Sequence, residues 1–263
     1  MRYRVSLPVF AAALCSALAL GAQTSDTHRA RSQGAKTQDA GDVADAARAL
    51  VQQQARAVQS IDRFEVSHQV DITSVTPHYN QTTHAYIKTW VLRPGHVRAE
   101  SQQYQRSETI VSDGSTTWVY NGGDRMYSKR AGGAPAALFS NAFPGLARQL
   151  SNANLPSVTT SAKLAGMEPL TIAGRSYPCD IVDVKVLQSA SNGTLHDNTL
   201  RLWVSREYKV PLKVEATFVG ATPQDSKRYS DYVTDFGPNQ NIPASVWKFD
   251  PPADALQMAG TAE

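Results

Sequence analysis

The sequence predicts a mainly β protein: a curved antiparallel sheet or open barrel with its helices on one side. Three observations carry that expectation. Apolar and polar residues alternate at period two along much of the chain, most cleanly where Val210, Leu212, Val214, Ala216 and Phe218 oppose Lys213, Glu215 and Thr217. That is the pattern of a strand with one buried and one wet face. Short turn signals such as Arg93-Pro94-Gly95, Asp113-Gly114 and Asn121-Gly122-Gly123 separate these runs, so neighbouring strands can be joined as hairpins. Few helical segments are available as crossovers, which argues against a parallel sheet. At 263 residues the chain can form one large β domain or two small ones.

The first 22 residues read as a secretory signal. Arg2 and Arg4 precede an apolar run from Val5 to Leu20, and Ala19-Leu20-Gly21-Ala22 offers small residues for cleavage. The run is shorter than the ~20 apolar residues of a spanning helix. Cys15 follows Leu14 rather than a small residue, which argues against lipidation. Residues 23–41 lack periodicity and read as a flexible leader, and the folded domain is expected over residues 42–258. With Asp42 as a plausible N-cap, Val43, Ala46, Ala47, Leu50, Val51, Ala55, Val58 and Ile61 recur at helical steps. They predict an amphipathic helix over 42–60.

A strand follows at once, with Phe64, Val66, His68, Val70 and Ile72 on one face and Glu65, Ser67, Gln69, Asp71 and Thr73 on the other. A histidine on an apolar face is more often a hydrogen-bonded core residue than a ligand. Residues 84–92, 97–100, 109–112 and 116–120 are rich in β-branched and aromatic side chains and predict a meander; Asp113-Gly114 suits a type I′ turn. A short strand is expected at 125–130. Leu138, Phe139, Ala142 and Phe143 fit one or two helical turns, Pro144-Gly145 interrupts them, and residues 146–150 can restart as a second short helix. A mobile apolar cover and a helix packed permanently on the sheet both fit this stretch. Further strands are expected at 170–173, 177–187, 200–204, 210–218 and 229–236, the last carrying Asp231 and Asp235, which read as solvated edge charges.

Catalytic and cofactor patterns are scarce. The chain contains no H-E-x-x-H, C-x-x-C, G-x-x-x-x-G-K or G-x-S-x-G, and its six histidines include no pair at helical metal-ligand spacing. Asp113 is explained by its turn. A Ser-His-Asp set is defined by geometry and is invisible to such motifs; no catalytic residue, metal ligand or cofactor is predicted. Cys179 would be the only cysteine after signal cleavage, beside an apolar strand, and reads as a buried small hydrophobe. The formal charge of +3 falls to +1 when Arg2 and Arg4 leave with a signal that contains no acid. That supplies no electrostatic case for nucleic acid.

Three motifs share an order and a spacing. Trp90-Val91-Leu92-Arg93-Pro94, Ile110-Val111-Ser112-Asp113-Gly114 and Trp118-Val119-Tyr120-Asn121 resemble the W-V-x-R-P strand end, V-S-D-G turn and aromatic strand of the periplasmic outer-membrane lipoprotein carrier family, LolA. Near the C-terminus, Trp247-Lys248-Phe249-Asp250-Pro251-Pro252 is similar to that family's closing F-x-F-x-P-P segment. The match covers most of residues 42–255, thinly in the middle, and residues 131–167 fit it poorly.

The resemblance implies an incomplete, open antiparallel barrel with an N-terminal helix and short lid helices over an apolar cavity. It implies a non-catalytic carrier of lipoprotein acyl chains or related lipids, in transit through the periplasm toward the outer membrane and needing no cofactor. The implied partners are lipoproteins or lipids, an inner-membrane ABC-type release complex and an outer-membrane acceptor, met by a monomer. Arg93 becomes the lid gate by the same resemblance, although an arginine capping a turn fits equally. The candidate cavity residues are Ile87, Val91, Val97, Leu138, Phe139, Phe143 and Leu146. If Arg93 points inward, period two sends Val91, Thr89 and Ile87 inward and Trp90 outward. RseB-like envelope-stress sensors share the fold but add a second domain, and no boundary for one is visible here.

Overall fold

The computed structural model describes residues 38–134, 138, 142–144, 159–189, 195–219 and 226–258. Helix α1 (Gln38–Ser60) is followed by β1 (Arg63–Thr76), β2 (Tyr79–Leu92), β3 (His96–Gln103), β4 (Arg106–Asp113), β5 (Thr116–Asn121) and β6 (Met126–Ala131). Then come β7 (Thr159–Ile172), β8 (Arg175–Ser189), β9 (Leu195–Ser205), β10 (Pro211–Val219), β11 (Ser226–Pro238), a 3-10 turn (Ala244–Trp247) and β12 (Leu256–Gln257).

The twelve strands form one open, curved sheet in the order β12-β6-β5-β4-β3-β2-β1-β11-β10-β9-β8-β7. Two antiparallel meanders therefore meet at the centre, where β1 pairs with β2 on one side and β11 on the other. The predicted mainly β, open architecture is what the chain adopts. One pairing departs from the antiparallel expectation: β12 runs parallel to β6 over two residues.

Several elements extend beyond their predicted bounds, two of them for different reasons. Helix α1 starts at Gln38, so residues 38–41 are helical. Gln and Ala are good helix formers, and a single glycine costs only about 1 kcal/mol. Strand β7 starts eleven residues before the predicted one. It is the sheet edge, and from Lys163 to Pro169 every side chain is exposed, so it shows no apolar alternation to detect.

Period two sorts the central strands into an inner and an outer face. On β2, Ile87, Thr89 and Val91 are buried while Lys88 and Trp90 are only half-buried on the other side, where Lys88 Nζ lies 4.6 Å from the Trp90 ring centre. The inner faces of both meanders are apolar, and α1 covers part of them with Ala47, Val51 and Val58. Burying each such aliphatic or aromatic side chain stabilises the fold by about 1.5–3 kcal/mol.

The segment after β11 crosses the outer face of β3 to β6. Trp247 meets His96 at 5.5 Å between ring centres, and Phe249 packs among Trp118, Tyr120 and Tyr127 at 5.8–6.2 Å. Arg98 Nη1 donates to the carbonyls of Val246 and Lys248, both at 3.3 Å. The aromatic closing segment is thus a strap on the outer side.

The two motif-bearing turns lean on each other. Ser112 Oγ donates to the Gly95 carbonyl at 2.9 Å, and Asp113 Oδ1 accepts from the backbone of Ser115 and Thr116 at 2.8 Å each. Only Gly114 takes a positive φ there, so the turn is not type I′; the Asp113 carboxylate closes it instead. Gly95 has φ +84°, and a Cβ on it would lie 3.0 Å from Gly114 Cα. Gly132 has φ +100° with nothing within 4 Å of such a Cβ. Both Gly→Ala changes should cost roughly 1–2 kcal/mol of backbone strain, and Gly95→Ala more than Gly132→Ala because two backbones collide as well. Urea unfolding midpoints compare them directly; equal losses would contradict the close approach.

Candidate functional site

The inner face carries two apolar clusters. One joins Val58, Phe64, Val66, Val91, Val97 and Ile110 to Leu138, Ala142, Phe143, Leu212 and Phe236; the other joins Ala47 and Val51 of α1 to Val70, Ile87, Val182, Leu200 and Val214. The structure therefore brings Val91, Val97, Leu138 and Phe143 together and places Ile87 in the neighbouring cluster. Phe139 and Leu146 lie outside the described residues. The Phe143 ring lies 5.0 Å from the Phe64 ring and 5.4 Å from Phe236 between centres. The sequence places Phe143 in the chain between β6 and β7, so it covers the sheet without belonging to it.

Arg93 stands at the end of β2, where its side chain can cross from the sheet to the helix. Its Nη2 donates to the Val58 carbonyl at 2.9 Å and its Nε to the Ile61 carbonyl at 3.1 Å, while its backbone N–H donates to Asp62 at 2.7 Å. The last carbonyls of a helix lack intrahelical partners and carry the negative end of its dipole. No basic residue of α1 lies in its last turn, so the cation comes from β2. Burial lowers the guanidinium pKa, and the nearby Asp62 carboxylate opposes that effect. Among the described residues, Arg93 clamps the C-terminal end of α1.

A polar group sits on the inner face, at the seam of the two clusters. His68 Nδ1 and Asp231 Oδ1 are 2.6 Å apart with side chains 1% and 2% exposed, and Tyr229 Oη donates to Asp231 Oδ2 at 2.9 Å. His68 is the hydrogen-bonded core histidine that its position on β1 predicts. Asp231 corrects the sequence reading: it is buried, and β11 is a central strand rather than an edge. A bulge explains why Asp235 differs. Val233 pairs with His68 but Asp235 pairs with Ser67, so Thr234 is the extra residue and the alternation flips between the two acids. A histidine and an aspartate on the apolar faces of two strands were the signal available in the sequence.

The outer face bears an open polar depression of about 480 Å³, lined by Asp71, Asp183, Arg201, Glu215 and Arg228 among others. Arg201 holds Asp183 with two bonds of 2.7 and 2.9 Å. Its charged lining does not suit an acyl chain. Among the described residues, no group of three or more His, Cys, Asp or Glu side chains could hold a metal ion.

A family model described as "Predicted periplasmic protein (DUF2092)" matches residues 47–259. No curated protein matches the chain. Solved structures that align with the chain include a chain of the MucA/MucB complex of Pseudomonas aeruginosa, at 18% identity and TM-score 0.42, covering 78% of this chain and 61% of that one. LprF from Mycobacterium bovis aligns at 11% identity and TM-score 0.37, covering 76% and 96%. A LolA superfamily protein from Nitrosomonas europaea aligns at 12% identity and TM-score 0.29, covering 77% and 97%. The chain spans about three fifths of the MucA/MucB-complex chain that it matches.

Cys179 belongs to the first cluster and is 1% exposed. Burial pushes its thiol up from 9.0 to about 11. The native thiol should therefore resist alkylation at pH 8 and react rapidly once the chain is unfolded. Because the folded thiol holds its proton more tightly, its contribution to stability is present below pH 9 and declines as pH rises from 9 toward 11. Thiol titration of native and denatured protein checks this; a fast native reaction would place Cys179 at the surface.

Proposed function

The chain belongs to the DUF2092 family of predicted periplasmic proteins, and from that premise we propose that it binds acyl chains of lipoproteins or related lipids and carries them across the periplasm. Its work is binding and release, without catalysis. The observation that carries this reading is the inner face, a near-continuous apolar surface whose covers, α1 and the segment of Leu138 and Phe143, come from outside the sheet. A cover that is not itself a strand can leave without breaking the sheet's hydrogen bonds.

The physical need matches that surface. At ~0.8 kcal/mol per CH₂, a long acyl chain in water costs on the order of 12 kcal/mol. A carrier must hide the chain yet release it, so binding has to compete with the protein's own closure. Closure here means Phe143 seated against Phe64 and Phe236, and α1 clamped through Arg93. An inner-membrane ABC-type complex as donor and an outer-membrane acceptor complete the proposed route.

Arg93 tests the reading. A hydrogen bond to a charged group contributes about 1.5–3 kcal/mol net, and Arg93 makes one to Val58 of α1 and one to Ile61 just beyond it. Arg93→Leu should free that end of the helix, disfavour the closed state and tighten binding of a fluorescent fatty acyl probe by at least roughly tenfold. Arg93→Lys should fall between, because an ammonium keeps the charge but not the fork. Probe titrations, with unfolding midpoints alongside, give the comparison. A folded Arg93→Leu protein that binds no more tightly would end the gating role, and failure of all three proteins to bind the probe would end the carrier reading.

A further inference from the structure

The buried histidine has one atom that the fold does not use. Asp231 occupies Nδ1 of His68, while Nε2 is buried with no hydrogen-bond partner among the described residues. The fold spends two further groups on keeping the ring in place, since Tyr229 Oη fixes the second oxygen of Asp231. Such an arrangement sets the tautomer: Nδ1–H donates to the carboxylate, and Nε2 is left to face whatever enters the inner face.

The position is as particular as the chemistry. His68 lies on β1 between Val66, in the first apolar cluster, and Val70, in the second. Its cross-strand neighbours are Ile87 on β2 and Val233 on β11. The polar groups facing this seam are Asp231 and Tyr229 from β11, Thr89 from β2, and Gln54, the one buried polar residue among the described side chains of α1. Elsewhere the same surface is mostly apolar, with Ser112, Thr117 and Asn198 among its other buried polar side chains.

We propose that His68 Nε2 is the anchor for the carboxyl group of a free long-chain fatty acid, bound with its chain along the inner face; this rests on the carrier reading and names its ligand. The choice of a carboxyl follows from proton bookkeeping. A neutral ring accepts a hydrogen bond at Nε2 and a protonated ring donates one. A carboxylic acid serves both states: its O–H donates to Nε2, and if that proton moves to nitrogen the carboxylate accepts it back as a charge-assisted bond. One O–H bond breaks and one N–H bond forms, with no other change. An alcohol is too weak an acid to pass its proton to the ring, and an ester offers only an acceptor. Charge-assisted bonds are roughly twice as strong as neutral ones.

The test displaces the fluorescent acyl probe from the mature protein with hexadecanoic acid, hexadecan-1-ol and methyl hexadecanoate, and follows the ring nitrogens of ¹⁵N-histidine-labelled protein by NMR. The acid should bind about tenfold (1.4 kcal/mol) more tightly than the ester, the alcohol between them. The His68 Nε2 resonance, assigned by its loss in His68→Gln, should move with the acid and stay with the ester. His68→Gln should bring the acid-to-ester ratio close to one while retaining chain binding. If that variant does not fold, the resonance is assigned instead by replacing the other five histidines one at a time, and it then decides alone. Equal binding of acid and ester with an unmoved Nε2 resonance would overturn the anchor and leave the carrier reading intact. Displacement by none of the three would overturn both.

Discussion

One face of a twelve-stranded sheet cannot be left in water, and the rest of the structure answers to that. Two meanders contribute their apolar sides to the same surface, from Val97 and Ile110 at one end to Val184 and Leu200 at the other. A closed barrel would bury such a surface against itself. This sheet ends instead in unjoined edges at β12 and β7, so its cover has to come from elements that are not strands. Helix α1 and the segment bearing Phe143 supply it. The outer face has its own cover, but of another kind: the strap of Trp247 and Phe249 lies over aromatic rings and is pinned by Arg98. One side of the sheet is thus crossed by a chain segment paired into the sheet through β12, and the other is covered by elements that are not strands.

Arg93 adds to the apolar contacts of α1 a polar attachment, which has a direction that apolar contact lacks. Arg93 spends its fork on the Val58 carbonyl in the last turn of α1 and the Ile61 carbonyl just beyond it, so helix capping and sheet-to-helix attachment are one interaction. The His68–Asp231–Tyr229 group acts differently. It adds no cover, and an apolar trio of similar volume would keep the seam dry at less desolvation cost. A buried polar group that holds the fold together has its bonding capacity used up; this one keeps an atom in reserve.

Much of the architecture is written in the period of the sequence. Strands with one wet face, such as β1, β2 and β10, declare themselves by alternation, and Asp113, Gly95 and Gly114 mark turns through their own conformational preferences. What alternation cannot report is strand order. Asp231 reads as a solvated charge because nothing local says that β11 lies at the centre of the sheet, and the bulge at Thr234 hides that Asp231 and Asp235 face opposite ways. Strand β7 fails for the opposite reason: an edge with both faces exposed has no pattern to show. Arg93 was legible as a residue at a strand end, whereas its partners, 32 and 35 residues earlier in the chain, lie at the end of a helix that only folding brings near. Leu138 and Phe143 were legible as apolar residues outside the strand pattern; their contact with Phe64 and Phe236 was not.

The account stands or falls on whether the inner face receives an acyl chain. Native mass spectrometry of the mature protein, purified from its periplasm without detergent, measures that directly. It should show a second species heavier than the polypeptide by the mass of one acyl lipid, released when the protein is unfolded. A single species at the polypeptide mass, unchanged after incubation with acyl lipid, would mean that the inner face is filled by the protein's own side chains and serves only as a core.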